Sequence, residues 1–231
     1  MVRYGPCHKR REASMRARPE RYPLRFLGGR LCLDFVNSVE NRASPAPEEF
    51  LTSYPALTRW GRQRGLLAEE DEARVLALAE QQPASAARAL DEALALREAL
   101  HRVFLALATA GEPDLNDLEY LQRVYADALA HARLRRQEDR FEWDWPATDE
   151  QLAWAQWLVA HSAAQLLTEG DLGRVRVCAN PDGCGWLFYD GSKNGSRRWC
   201  SMEGCGSQVK MRRQYARRRA GAAAVPAPRS S

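Results

Sequence analysis

The sequence predicts a mainly α fold with small β-hairpins (α+β): a helical N-terminal domain, then a small cysteine-rich module running into a basic C-terminal helix. Apolar residues recur at helical spacing through most of residues 54–168, whereas Phe141, Trp143 and Trp145 alternate with Glu142 and Asp144 as in a strand. Near the C-terminus four cysteines arrive as two close pairs, Cys178/Cys184 and Cys200/Cys205, with fifteen residues between the pairs.

Composition sets the bounds. With 231 residues, 45% of them hydrophobic, the chain can build one medium core and one small appendage. Its formal charge of +4 conceals an asymmetry. Residues 1–21 carry seven Lys/Arg against two Glu, residues 22–173 fifteen against twenty-five acids, and residues 174–231 twelve against three. An acidic body between basic ends points to an anionic partner for the ends, nucleic acid above all. No apolar run is long enough to span a bilayer, so no membrane partner is expected. Lys9-Arg10-Arg11 is not followed by an apolar segment, and the unpaired thiols Cys7 and Cys32 suit a reducing cytoplasm. Four segments are expected: a flexible basic extension over 1–21, a helical domain over 22–173, a metal-clamped module with its basic helix over 174–219, and a disordered tail over 220–231.

Within the helical domain, Gly28-Gly29 between two apolar runs suggests a tight hairpin, although Leu31 to Val36 fits a helix as well as a strand. Pro55 can occupy the first turn of a helix carrying Leu57, Trp60, Leu66 and Leu67. A short helix over Glu69–Glu80 is broken by Pro83, and a long one follows from Ala84 to Ala110. Asp114 caps a helix reaching His131, with Leu115, Leu118, Leu121, Tyr125 and Leu129 expected on its buried side. Residues 133–145 change period and read as a hairpin. Asp149 is expected to start the last helix, which ends before Gly170. That helix is apolar on two sides, through Leu152, Val159, Ala163, Leu166 and Leu167 on one and Trp154, Trp157 and His161 on the other, which places it centrally.

The cysteine pairs carry the chemistry. Five residues separate Cys178 from Cys184 and four separate Cys200 from Cys205, so each turn can present two thiolates to one ion. Two disulfides would use the same residues, but nothing points to an oxidising compartment; iron–sulfur clusters use other spacings. The spacing favours zinc, in a structural role, because a complete shell of four thiolates leaves no position for water or substrate. Trp186-Leu187-Phe188-Tyr189 reads as an aromatic strand between the pairs. A module of about 30 residues is too small to fold on apolar burial alone.

Beyond Cys205, Lys210, Arg212, Arg213, Arg217, Arg218 and Arg219 occur with no acid among them. On a helix, Lys210, Arg213 and Arg217 share one face and Met211 and Tyr215 lie nearly opposite, so one side is expected to pack on the module while the other meets phosphates. Lys193, Arg197 and Arg198 in the intervening loop extend the basic patch. In the body, Arg97 and His101 fall on an apolar helical stripe, with Asp34 and Asn37 as plausible partners. Two readings follow: a buried ion pair holding the fold, or the polar floor of a small-molecule pocket with His161 and Ser162 on its rim.

The run from Val175 to Arg213 resembles the CGNR-type zinc finger of bacterial proteins, through Cys184-Gly-Trp-Leu-Phe, Asn194-Gly-Ser-Arg-Arg-Trp-Cys200-Ser-Met and Cys205-Gly206. Ser207-Gln208 stands where that motif has Asn-Arg, and Gly183 looks like an insertion in the first pair. Leu31-Cys-Leu-Asp-Phe-Val-Asn37, Leu96-Arg-Glu-Ala-Leu100 and Ala160-His-Ser-Ala-Ala-Gln-Leu-Leu167 look like the helical domain called ABATE. The resemblance implies a treble-clef-like, four-cysteine zinc finger behind a helical domain, in a family of stress-induced transcription regulators. On this reading the chain is a cytoplasmic, zinc-dependent DNA-binding regulator whose helical domain senses a small effector or forms a homodimer. The alternative is a zinc-stabilised protein-interaction module. No nucleophile elbow, phosphate loop or open metal site argues for an enzyme.

Overall fold

The computed structural model describes residues 16–17, 24–145 and 151–223. The body is built on α4 (Pro83–Ala108), against which α1 (Leu31–Val36), α2 (Tyr54–Arg64), α3 (Glu69–Gln81), α5 (Leu115–His131) and α6 (Trp154–Glu169) all pack. Its inward side is largely small, with Ala86, Ala89, Ala93 and Ala99 buried beside Leu96, Leu100, Val103 and Phe104. Small side chains let five neighbours approach one axis. Pro83 begins α4 instead of merely ending α3, because its fixed φ suits a first helical position.

Other boundaries depart from expectation for local reasons. Gly28-Gly29 forms no hairpin. Gly28 donates to Asp34 Oδ1 at 2.8 Å, and a Cβ there would sit 2.7 Å from the Asp34 nitrogen, so the pair is a close approach onto α1. The left-handed Gly65 closes α2 at Arg64, leaving Leu66 and Leu67 beyond the helix. In α5 Asp114 caps as expected, accepting from the Asn116 amide at 2.8 Å. Its buried face is rotated, however: Leu121, Ala128 and Asp117 are inside, while Leu115 is 73% exposed. On that face Asp117 accepts a bidentate pair from Arg102 (2.8 and 2.5 Å). Asp149 lies outside the described residues; α6 is seen from Trp154 and is buried on two sides, as expected of a central helix.

Three small sheets decorate the helices. β2 (Val39–Glu40) and β3 (Glu48–Glu49) pair antiparallel, and β1 (Arg16–Ala17) runs parallel to β3. β4 (Arg133–Gln137) and β5 (Arg140–Asp144) form the expected hairpin, with Leu134 opposite Trp143. β6 (Val175–Val177) and β7 (Leu187–Tyr189) belong to the cysteine module but add Val175 and Leu187 to the main core. The terminal helix α7 (Ser207–Ala223) continues past the expected end at 219. The remainder of the expected tail and nearly all of the N-terminal extension, Cys7 included, lie outside the described residues.

At the α2–α6 crossing Gly61 allows Trp154 against the helix backbone; a Cβ there would lie 2.2 Å from Trp154 Cη2. Trp154 is buried and its indole donates to Tyr54 Oη at 3.2 Å, so the ring has no room to retreat. Gly61→Ala is expected to destabilise the fold by about 1–3 kcal/mol, measured as a lower urea midpoint at unchanged slope.

Candidate metal centre and nucleic-acid interface

The two knuckles are brought together by β6 and β7. Pairing of Val177 with Leu187 sets Cys178 and Trp186 at the open end of the ladder, where the Cys178 amide donates to the Trp186 carbonyl at 2.8 Å. Ala179 N–H donates to the Arg198 carbonyl at 2.9 Å and draws the second knuckle alongside. The four Sγ atoms of Cys178, Cys184, Cys200 and Cys205 then lie within 4.8 Å of one another, with Cys184–Cys200 at 3.7 Å and Cys200–Cys205 at 3.6 Å. Tetrahedral Zn–S bonds of about 2.3 Å would separate sulfurs by about 3.8 Å, so the donor set fits zinc. The Cys200 amide already donates to Cys178 Sγ at 3.4 Å, the usual support for a ligating thiolate.

Charge makes the same argument. S–H donation from Cys184 and Cys200 holds the Cys178 thiol well below its ordinary value, while its bond with Cys178 pushes Cys184 up and bonds with Cys178 and Cys184 push Cys200 up. One thiolate satisfies the cluster; four need a cation.

The module is docked from both sides. Asn37 at the end of α1 grips the backbone of Leu187, donating to its carbonyl at 2.7 Å and accepting from its amide at 2.9 Å. The Trp186 indole donates to the Val39 carbonyl at 2.8 Å. The first knuckle sits on residues 41–44, where Arg42 and Ala43 amides donate to the Cys184 and Gly183 carbonyls at 3.1 and 3.0 Å. Gly183, which looks like an insertion in sequence, adopts φ +86°, and a Cβ on it would meet the Ser44 backbone at 2.8 Å. Where the motif's Asn-Arg is replaced, Ser207 caps back onto the Met202 carbonyl at 2.9 Å and Gln208 accepts from Asn180 at 3.3 Å.

Of the basic residues, Lys193, Arg198, Lys210, Arg213 and Arg217 are exposed. Arg212 is exposed too but pairs with Asp182. Arg197 is turned inward: its guanidinium donates to the Trp199 carbonyl at 2.9 Å and to that of Cys200, and lies 4.5 Å from the Phe188 ring centre. It braces the second knuckle. The expected packing of Met211 and Tyr215 on the module does not occur; they are 64% and 65% exposed. Among the described residues of α7 only Val209 is buried, and the helix stands clear of the module beyond the Arg212–Asp182 pair in its second turn.

The profile of the ABATE family, described as "Putative stress-induced transcription regulator", matches residues 29–170, and that of the CGNR zinc finger matches residues 174–218. The chain belongs to the ABATE family. Neither domain is of an enzymatic family; together they describe a zinc-binding regulator, with structural zinc held in its CGNR finger. Comparison with curated proteins finds no match.

In the ABATE domain the polar residues singled out in sequence take separate partners among the described residues. Asp34 accepts from Gly28 and from Arg64 Nε at 2.9 Å, and Asn37 holds the finger. Ser162 Oγ accepts from the Cys32 amide at 3.1 Å. His161 meets Tyr125 Oη at 3.4 Å and the Trp145 ring, while it is His131 that stacks on Trp157 at 4.3 Å. Arg97 is 2% exposed and takes its partner from β3: it donates to both Glu49 oxygens at 2.7 and 2.6 Å, to Ser38 at 3.1 Å and to Glu98 at 2.9 Å. Glu98 in turn accepts two bonds from Arg42, whose Nη2 also donates to the Val36 carbonyl. The ion-pair reading of Arg97 is therefore the one realised, with Glu49 in place of Asp34 and Asn37.

Two outcomes are expected. Asn37→Ala leaves both buried backbone groups of Leu187 unpaired, at about 1–3 kcal/mol each; urea unfolding should show this loss while metal analysis still finds one zinc per chain. His101 is lowered to about 4 by burial and by Arg42. Because the unfolded chain then binds the extra proton below about 6.5, stability should fall as pH drops from about 6.5 to 4, and His101→Phe should shallow that slope in thermal melts at stepped pH.

Proposed function

We propose that the protein is a cytoplasmic, DNA-binding transcriptional regulator in which the zinc finger launches α7 at nucleic acid and the ABATE domain senses an effector or forms a homodimer. One observation supports this most: from Lys210 to Arg219 every residue of α7 is exposed, six are Lys or Arg and none is acidic. A helix of 17 residues is about 25 Å long and has the width that a DNA major groove of about 12 Å admits. Lys210, Arg213 and Arg217 on one face would neutralise phosphates, with Arg198, Lys193 and Arg212 beside the finger extending the contact. Arg197 is omitted from this set, because its donors are taken up by the knuckle.

The exposed Met211 and Tyr215 favour a second reading, in which the free face of α7 meets a protein. Salt separates the two. Replacing Lys210, Arg213 and Arg217 together by Ala should weaken DNA binding and shallow the plot of log affinity against log salt by about 2–3 units. Fluorescence anisotropy on duplex DNA over a series of salt concentrations reads both; an unchanged slope would exclude phosphate contact by this face.

A further inference from the structure

The β4–β5 hairpin has an apolar side that nothing among the described residues covers. Side chains directly opposite in the pair share a face, so Leu134, Arg136, Phe141 and Trp143 lie on one side. Arg133, Arg135, Arg140, Glu142 and Asp144 lie on the other. The first side continues from Trp145, which is buried against Ala128 and Trp157. Two and four residues earlier the same stripe runs out into solvent: Trp143 is 45% and Phe141 66% exposed, and Leu134, opposite Trp143, is 60% exposed. An apolar stripe that is continuous with a core but left open marks an interaction surface.

The strand edges decide the partner. Glu138 and Asp139 make a two-residue turn, with Glu138 at φ +54°, so Gln137 and Arg140 close it as a hydrogen-bonded pair. Alternation along an antiparallel ladder then turns the amides and carbonyls of Phe141 and Trp143 away from β4, toward the outer edge of β5. No third strand meets that edge among the described residues. β4 carries Arg133, Arg135 and Arg136 and no acid, so its own edge repels a second β4. β5 reads Arg140-Phe-Glu-Trp-Asp144, which is complementary to its own reverse. About a two-fold axis at Glu142, Arg140 meets Asp144 of a second copy and Phe141 meets its Trp143. The residues with outward backbone groups are the ones this two-fold brings into hydrogen-bonded register. Glu142 meets its own copy at the axis, each with Arg140 of its own strand 2.9 Å away. We propose that β5 pairs antiparallel with β5 of a second copy, making a four-stranded sheet in which Leu134, Phe141 and Trp143 of both chains share one face. This sheet gives a surface to the homodimer read for the ABATE domain, and rests on that reading. Two five-residue strands bury little area, so the pair should dissociate on dilution.

Sedimentation velocity of the zinc-loaded full chain over a dilution series reads the equilibrium, and a concentration-dependent dimer is expected. Arg140→Asp sets two carboxylates against each other and Asp144→Arg two guanidiniums, twice per dimer, so each variant alone should dimerise at least about tenfold more weakly. Mixed in equal amounts, the two variants restore opposite charges at both ends of the strand pair, and the dimer should return. The Phe141→Thr, Trp143→Thr double variant keeps strand-forming residues at exposed positions, so the fold should survive while the dimer weakens. A monomer at every concentration would overturn the proposal together with the homodimer reading. A dimer that the threonine variant leaves intact, or that mixing fails to restore, would overturn this surface alone. DNA affinity of the same samples is read separately by anisotropy, so a failed DNA reading is told apart from both.

Discussion

Four thiol sulfurs held within 4.8 Å of one another cannot all carry charge unless a cation sits among them. That constraint organises the C-terminal quarter of the molecule. The knuckles have little apolar substance of their own; Trp186, Phe188 and three of the cysteines, Cys178, Cys184 and Cys200, make up the buried part of their cluster. β6 and β7 are held by the helical core through Val175 and Leu187, and a metal at the four sulfurs would join the two knuckles to that pair. On the knuckles so joined, α7 is anchored through its first two turns, by Val209 and the ion pair of Arg212 with Asp182.

Periodicity revealed the helices well, because amphipathic runs such as Leu57/Trp60 or Leu96/Leu100/Phe104 report directly on a buried face. It failed where a tertiary contact outranked the local pattern. Leu115 reads as a core residue but is on the surface, because α5 buries the face that carries Asp117, Leu121 and Ala128. Gly28-Gly29 reads as a turn and is instead a close approach onto α1. The metal ligands were legible because cysteine pairs at short spacing have few other uses. The partner of Arg97 was not: Glu49 lies 48 residues away in sequence, on a two-residue strand that no pattern announces. Nor could spacing show that Arg197 folds back on its own knuckle while Arg198, its neighbour, faces outward over Trp199.

Buried charge in the body is concentrated where chain segments distant in sequence must be aligned. Arg97, Glu49, Glu98 and Arg42 tie α4 to the loop that follows α1, and Arg42 also bonds the Val36 carbonyl at the end of α1. Adjoining Ala43 and Arg42 amides then receive the first knuckle. A guanidinium supplies several donors in a fixed fork, so one such residue can set the mutual position of three segments at once. Lysine at either position would supply the charge without the geometry.

The way β6 and β7 are seated bears on how such a protein could have been assembled. Val175 and Leu187 belong to the helical core, and Asn37 at the end of α1 grips the Leu187 backbone. A cut between residues 173 and 174, which looks natural in sequence, would therefore strip two apolar plugs from one half and leave an amide with nothing to grip. The two halves have the character of mortise and tenon: an ancestor that exchanged one would have had to reshape the other in the same stroke.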